Sequence, residues 1–233
     1  MDNSRTYNEQ LLAYLSGYVT DHKQQRITEV LALRTRRLTV VLEDIFKPHN
    51  ASAVLRTAEC YGIQDIYVAE DRNPYEVNPY VTRGAGKWLS LHRFRAHNAH
   101  NIARCFIDLR DKGYRIVATS PGEGAVNYTD FEPAGDKIAL VFGAEETGVS
   151  EYVREHADQL IKIPMYGFTE SFNISVSAGI LIEYFQREMK SSGNWSLSDD
   201  EIVELRLEWY QKVVPNVEFH IKHFDKQYHQ KNR

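Results

Sequence analysis

Polar side chains crowd the entrance of a helix that the sequence predicts in the C-terminal third of the chain. Residues 163–182 leave a β-run, cross a loop with proline and glycine, and become continuously apolar only from Ile180. The polar residues of this entrance are Ser171, Asn173, Ser175 and Ser177. Free backbone N–H groups at a helix start can be capped by such side chains or can receive a ligand. The pattern leaves both interpretations open, a serine-rich cap and a binding site.

A second candidate is the loop formed by residues 142–150, with the sequence FGAEETGVS. It follows the strongest predicted strand, and open α/β sheets bind their ligands at the carboxyl ends of strands. Gly143 and Gly148 permit a tight backbone path, whereas Glu145 and Glu146 would repel a phosphate. The loop therefore suits a neutral or cationic ligand with hydroxyl groups, such as a nucleoside or a sulfonium. A glycine-rich turn with solvated acids is the alternative.

Other glycine patterns do not complete a nucleotide-binding motif. Gly122 and Gly124 follow a predicted strand, but Asn127 occupies the third position that GxGxxG needs. Val81 stands where a phosphate-binding loop ending at Lys87 would need its first glycine. The chain also lacks the GxSxG sequence of a hydrolase nucleophile.

Composition limits which classes of protein remain possible. With 233 residues and 42% hydrophobic content, the chain can form one substantial core with appended helices. It has no apolar run long enough to span a bilayer and no signal-peptide pattern at its start, so we expect a cytoplasmic protein without membrane contact. Cys60 and Cys105 lie far apart, and the nine histidines form no HExxH pair. We therefore expect buried reduced thiols and no metal site.

Both ends of the chain are locally basic although the net charge is −4. The cations are Lys23, Arg26, Arg34, Arg36 and Arg37 near the start, and Lys222, Lys226, Lys231 and Arg233 near the end. Such runs are usually solvated helix faces. The alternative is an acidic body whose basic ends hold an RNA backbone.

The elements that must position these residues alternate between strands and helices. Strands are expected at residues 38–42, 65–69, 89–94, 114–120, 137–142 and 160–163, and helices at 7–34, 50–62, 98–112 and 198–233. The helix after the first strand should be capped by Asn50 and stopped by Gly62, with Ser52 and Arg56 on its polar side. Ser198 and Glu201 form a capping box, and Pro215 interrupts the last segment. This order predicts an α/β fold with a largely parallel sheet.

Three segments in this order resemble the three motifs of the SpoU/TrmH branch of the SPOUT RNA methyltransferases. The first contains Asn50 and Arg56, the second is the acidic loop with Glu145, and the third joins residues 163–165 to residues 171–177. Each segment is weak alone, but their order and spacing across residues 38–190 make the resemblance specific. The helical extensions at both ends further resemble the TrmH group, which methylates the ribose 2′-hydroxyl of D-loop guanosine 18 in tRNA.

The resemblance implies a SPOUT domain at residues 38–190 with a deep trefoil knot, flanked by RNA-contacting helical extensions at residues 1–37 and 191–233. It also implies S-adenosylmethionine as methyl donor and a homodimer whose active site draws on both subunits. The residues that would line the cofactor pocket are Thr119, Gly143, Ile163, Met165 and Phe172. A knot is otherwise nearly absent from proteins, so this expectation comes from the resemblance alone.

The same resemblance assigns the key catalytic role to Arg56, with support from Asn50, Glu145, Ser171 and Asn173. A guanidinium stays protonated in proteins and is a poor base, so we expect Arg56 to position and polarise the hydroxyl, with an adjacent RNA phosphate taking the proton. Glu145 is expected to hydrogen-bond locally rather than to titrate. Two alternatives remain at this point: methylation of rRNA or of another tRNA position, and a catalytically silent RNA-binding protein.

Overall fold

The computed structural model describes residues 3–97, 100–122, 124–133, 135–193 and 195–231. Its contacts divide the chain into two units. The larger unit contains residues 35–195, and the smaller one combines the segment up to Arg34 with the segment from Ser196 onward.

The described strands of the larger unit form one parallel sheet in the order β3-β2-β1-β6-β4-β7-β5. They are β1 (Leu38–Glu43), β2 (Asp65–Ala69), β3 (Ser90–Phe94), β4 (Tyr114–Thr119), β5 (Val126–Asn127), β6 (Lys137–Phe142) and β7 (Gln159–Lys162). The α-helices of the described residues are α1 (Asn3–Ser16), α2 (Asp21–Leu31), α3 (Pro48–Cys60), α4 (Pro79–Thr82), α5 (Asn101–Asp111), α6 (Glu151–His156), α7 (Ile174–Ser191), α8 (Asp199–Val213) and α9 (Val217–Lys231). The predicted α/β fold with a parallel sheet is confirmed.

The central strands are buried on both faces because helices cover each side of the sheet. Successive residues of β1 alternate between two apolar clusters, with Val40 in one and Val41 in the other. The first cluster includes residues of α3 and α7, and the second includes residues of α5 and α6. Burial on both faces explains why these strands are continuous apolar runs in the sequence.

Several predicted boundaries need correction. The helix expected over residues 7–34 is two helices, α1 and α2, separated by a turn at residues 17–20. The helix expected from residue 98 begins at Asn101, and residues 98 and 99 lie outside the described residues. The two-residue strand β5 was not predicted, because so short a segment has no periodicity to detect.

The prediction that Asn50 caps α3 is wrong. The helix begins at Pro48, with Lys47 as its N-cap, because proline is well suited to the first helical position. Asn50 therefore lies inside the first turn and is buried. Gly62 has a φ of 80° directly after the helix, as the predicted stop requires.

The prediction of two buried thiols holds for Cys105 only. Cys105 belongs to the apolar cluster around α5, whereas Cys60 is exposed at the last position of α3.

In the smaller unit α1 packs against α8 and α9, and α2 packs against α8. Tyr7 donates a hydrogen bond to Asp225 at 2.6 Å. The predicted capping box is confirmed: Glu201 N donates to Ser198 Oγ at 3.3 Å, and Ser198 N donates to Glu201 Oε2 at 2.8 Å. The predicted interruption at Pro215 falls between α8 and α9. Across the described residues, no helix combines the length and apolar character that crossing a membrane requires.

Candidate active site

The carboxyl ends of four neighbouring strands meet at one edge of the sheet. β1, β6, β4 and β7 are adjacent and parallel, so the loops that leave them start side by side. A cavity of about 640 Å³ lies at this edge. Ligands of open α/β proteins bind in this position.

The cavity brings together all the predicted site residues except Arg56. Those that line it are Asn50, Thr119, Gly143, Glu145, Ile163, Met165, Ser171, Phe172 and Asn173. The sequence analysis did not single out three further lining residues, Lys47, Ser120 and Arg154. Ser120 is the last residue of the predicted strand 114–120 and directly follows the observed end of β4 at Thr119, so its position at a strand end is the signal that could have found it.

A chain of hydrogen bonds joins the three predicted motifs. Asn50 Nδ2 donates to Glu145 Oε1 at 2.7 Å, and Asn173 Nδ2 donates to Asn50 Oδ1 at 3.2 Å. Asn173 also caps α7, since its Oδ1 accepts from Ser175 N at 2.9 Å. The two asparagine amides therefore have fixed orientations before any ligand binds.

Glu145 accepts additional hydrogen bonds from the start of α3. Its two carboxylate oxygens accept from the backbone N–H groups of Phe46 and Lys47, each at 3.3 Å. Burial alone would raise the pKa of Glu145, but the hydrogen bonds from Asn50 and from these backbone groups outweigh it and lower the pKa below its ordinary value. Glu145 is therefore held ionised, and its contacts are those of the local brace that the sequence analysis expects.

A second carboxylate holds the other end of the same loop. Glu43, at the end of β1, is buried and accepts a hydrogen bond from Ser150 N at 2.9 Å. Burial raises the pKa of Glu43, and the hydrogen bonds from Ser150 only partly oppose this.

The loop between these two carboxylates turns back on itself. Gly148 has a φ of 67° and donates from its N–H to Ala144 O at 2.8 Å. A Cβ at Gly143 would collide with the backbone of Gly148 and Val149. Both glycines are therefore required by the local backbone path.

The cavity combines an apolar wall with polar backbone and hydroxyl groups. Ile163, Met165 and Phe172 form the apolar wall, and Phe172 remains 43% exposed. Thr119, at the end of β4, donates from its hydroxyl to Val141 O at 3.1 Å. Among the described residues, no group of three or more His, Cys, Asp or Glu side chains is arranged to hold a metal ion.

Arg56 and Ser171 differ from the bonded residues. Ser171 is exposed in the loop before α7, so it does not belong to the helix as the sequence predicts. Arg56 is exposed on α3 and is not among the residues that line the cavity. Neither side chain has a hydrogen-bond or ion-pair partner within the part of the chain that the structure describes.

Comparison with known proteins assigns the chain to a family. Residues 37–183 match the SpoU rRNA Methylase family. The chain belongs to the SpoU methylase family. The matched residues include the strands that end at the cavity and most of α7, so the site described above is part of the family's shared region.

Full-length relatives in the SpoU methylase family are similar beyond that region. The chain is 43% identical over 210 residues to a tRNA (guanosine(18)-2′-O)-methyltransferase of Borreliella burgdorferi, covering 89% of this chain and 93% of the relative. It is 32% identical over 202 residues to the protein of the same name from Aquifex aeolicus, covering 84% and 92%. Among solved structures, the A. aeolicus TrmH/SpoU tRNA modifying enzyme superposes with a TM-score of 0.74 at 30% identity, covering 83% of this chain and 98% of that one.

Proposed function

We propose that this protein transfers a methyl group from S-adenosylmethionine to the ribose 2′-hydroxyl of guanosine 18 in tRNA. The observation that carries the proposal is the chain of hydrogen bonds from Glu145 through Asn50 to Asn173, in the cavity at the carboxyl edge of the sheet. The relatives named for guanosine 18 match 84–89% of this chain, which extends beyond the family region at residues 37–183. That extent favours a tRNA substrate over rRNA.

The cavity suits S-adenosylmethionine in size and in chemistry. Its volume of about 640 Å³ lies within the range of small-molecule sites. The apolar wall of Ile163, Met165 and Phe172 would hold the adenine, while Thr119 and Gly143 would contact the polar parts through hydroxyl and backbone groups. When bound, the cofactor supplies an electrophilic methyl group on a positively charged sulfur. The ionised Glu145 makes this edge favourable for a cation and unfavourable for a phosphate.

The two asparagines are suited to orient a ribose. Each side-chain amide has two N–H donors. Asn50 uses one of them on Glu145, and Asn173 uses one on Asn50. For each amide the second N–H has no acceptor among the described residues, so it remains for a substrate oxygen. Ser171, exposed beside them, would add a hydroxyl to the same substrate.

Arg56 acts in this proposal on the cavity of a second copy of the chain. It is exposed and does not line the cavity of its own chain. Exposed apolar side chains are adjacent in sequence to lining residues of that cavity: Phe46 is 67% exposed, Tyr166 is 96% exposed and Val176 is 46% exposed. Large exposed apolar residues of this kind mark interaction surfaces. A homodimer would cover them and bring Arg56 of the partner subunit to the substrate.

In that position Arg56 would bind the RNA phosphate and polarise the 2′-hydroxyl, which is a poor nucleophile until its proton can leave. A guanidinium remains protonated, so the proton passes to the adjacent RNA phosphate and not to Arg56. Alignment of the hydroxyl with the methyl group accounts for the remaining catalysis.

The proposal includes three features of the whole molecule. The helical unit formed by both ends of the chain would contact RNA through exposed cations such as Lys222 and Lys226. The larger unit would contain the trefoil knot of its family. A tRNA substrate would place the protein in the cytoplasm.

Methyl transfer from labelled S-adenosylmethionine to unmodified tRNA transcripts tests the chemistry and the target. Incorporation should disappear when guanosine 18 carries a 2′-deoxy substitution. Incorporation that survives this substitution would move the target, and incorporation into rRNA alone would replace the tRNA assignment. No incorporation into either RNA would reject methyl transfer and favour a silent RNA-binding protein.

Mixing two inactive variants tests whether Arg56 acts across subunits. Arg56→Ala and Asn173→Ala chains, unfolded and refolded together, should recover on the order of a quarter of the wild-type rate, since half of the dimers are mixed and each has one intact site. No recovery, with mixed dimers shown to form, would place Arg56 in the site of its own chain.

A further inference from the structure

The segment between β2 and β3 has no role in the mechanism proposed above. It runs from Tyr75 to Leu89, two residues that are buried, and it includes the short helix α4. Thr82 and Ala85 are also buried, so the segment is anchored at regular intervals. A loop with this many anchors presents its remaining side chains in a fixed arrangement.

The exposed side chains of this segment include one aromatic ring and two cations. Tyr80 is 90% exposed, and Arg83 and Lys87 are exposed on the turns that follow. The ammonium of Lys87 lies 5.2 Å from the centre of the Trp88 ring, which holds it near the surface. Glu76 adds one exposed carboxylate at the start of the segment.

The backbone at Arg83 is unusual for a side chain of its size. Arg83 has a φ of 46° and is followed by Gly84 with a φ of 84°. A residue other than glycine rarely adopts a positive φ, and such positions occur often at binding sites. The turn directs Arg83 outward, whereas its neighbour Thr82 is buried.

A direct contact places this surface next to Arg56. Asn78 N donates to Ser52 Oγ at 2.6 Å, and Asn78 Oδ1 in turn accepts from Tyr80 N at 3.0 Å. Ser52 and Arg56 are four residues apart on α3, so they lie on the same face of that helix. Both α4 and the turn at Ala85–Lys87 contact α3. Arg56 and the exposed residues of the segment therefore share one surface.

We propose that Tyr80, Arg83 and Lys87 form an RNA-binding surface beside Arg56, in which Tyr80 stacks on an unpaired base and the two cations contact flanking phosphates. Proteins that recognise RNA loops combine aromatic stacking with cationic backbone contacts in this way. The inference rests on the proposed function, because it assigns the segment to the same RNA that is methylated. It adds residues that hold the RNA but do not touch the cofactor.

Single substitutions with matched controls test the surface. The variants are Tyr80→Ala, Tyr80→Phe, Arg83→Gln and Lys87→Gln. The controls are Ile107→Ala and Arg104→Gln, which change exposed residues of α5 in the layer on the other face of the sheet. For each protein we would measure the dissociation constant of tRNA at several salt concentrations, the KM for tRNA, kcat, the affinity for S-adenosylmethionine and the melting temperature.

We expect Tyr80→Ala to raise the KM and the dissociation constant of tRNA roughly tenfold, and Tyr80→Phe to restore both, because phenylalanine keeps the stacking face. Arg83→Gln and Lys87→Gln should each weaken binding and reduce the salt dependence by about one phosphate contact. Affinity for S-adenosylmethionine, the melting temperature and both control variants should match the wild type.

Two results would overturn the inference. If the variants at Tyr80, Arg83 and Lys87 all bind tRNA as tightly as the control variants, the segment does not contact the RNA, even if the wild type methylates tRNA. Loss of the dimer in Tyr80→Ala, measured by sedimentation, would assign the surface to self-association. If instead the wild type transfers no methyl group to tRNA but the variants still lose RNA affinity, the surface stands and the proposed reaction fails.

Discussion

Two regions of the candidate site differ in how their side chains are held. At the first turn of α3 and the acidic loop, Asn50, Glu145 and Asn173 are joined by hydrogen bonds of 2.7–3.2 Å. One turn and a half further along α3, Arg56 is exposed, and Ser171 is exposed before α7. Within the described residues neither of these two has a bonded partner.

The difference separates residues that would affect both stability and activity from residues that would affect activity alone. The bonded residues support the fold of the cavity as well as its ligand, so their loss should affect stability and activity together. The exposed residues contribute nothing to the folded chain that the structure describes, so their loss should affect activity alone.

Arg56→Lys should lower kcat by about 100-fold or more, because a single ammonium cannot replace the planar fork that binds phosphate and hydroxyl together. The melting temperature and the affinity for S-adenosylmethionine should stay at wild-type values. Arg104→Lys, on the exposed face of α5, is the control for a conservative change of arginine. Turnover close to wild type would contradict the positioning role. A lower melting temperature would show that Arg56 also stabilises the fold, as the hydrogen-bonded residues do.

Asn50→Ala should lower the free energy of unfolding by about 1–3 kcal/mol as well as the rate, since Glu145 loses its 2.7 Å donor and Asn173 its acceptor in a partly buried place. Urea unfolding at neutral pH measures the first effect. Ser171→Ala should leave unfolding unchanged while lowering turnover. If Ser171→Ala destabilises as much as Asn50→Ala, the division between bonded and exposed residues does not hold.

Glu145 within the acidic loop and Glu43 at the end of β1, which both hydrogen-bond to hold that loop, should give opposite pH dependences. The lowered pKa of Glu145 contributes stability that is present above its unfolded pKa of about 4.3 and is lost as pH falls through the lower folded value. The stability deficit of Glu145→Gln should therefore shrink on acidification below about pH 4.

The pKa of Glu43 is raised by burial, so its favourable contribution is present below the unfolded pKa and is lost as pH rises through the folded value. The free energy of unfolding of Glu43→Gln, relative to that of the wild type, should accordingly be highest at neutral pH and lowest in acid. Urea titrations of both variants across this range measure the two trends. Parallel trends would show that the two carboxylates are held alike.

Charge reversal of Lys222, Lys226 and Lys231 tests a third class, residues outside the catalytic unit. We expect the KM for tRNA to rise by about three- to tenfold with little change in kcat, and the effect to diminish at high salt. This would be the smallest effect, because Lys222 and Lys226 are exposed and each cation would contribute only a phosphate contact. Unchanged tRNA affinity in the triple variant would remove the C-terminal helix from the RNA contact.

Sequence reasoning locates the site because its residues follow strand ends. β1, β2 and β6 are continuous apolar runs, and the positions directly after such runs must lie at one edge of a parallel sheet. Asn50, Glu145 and Asn173 could be grouped through their motifs, but the direction of each amide could not, since it depends on contacts across 95 and 123 residues.

Ser52 makes a contact that could not be predicted from the sequence. Its position on α3 predicts a polar outer face, yet it is fully buried because its hydroxyl donates to Pro48 O and accepts from Asn78 N. The loop that covers it has no periodic pattern, so nothing local in the sequence reports the contact. Arg56, one turn later on the same face, is exposed.

The helical unit is made from two segments that leave the ribosome far apart in time. α1 and α2 emerge first, but α1 packs against α8 and α9, and α8 begins roughly 180 residues after α1 ends. Until then Leu11 and Leu15, both buried in the finished fold, have no covering partner. The sheet can form before these first helices reach their final packing. The opening segment is therefore among the last described parts of the chain to reach its final packing.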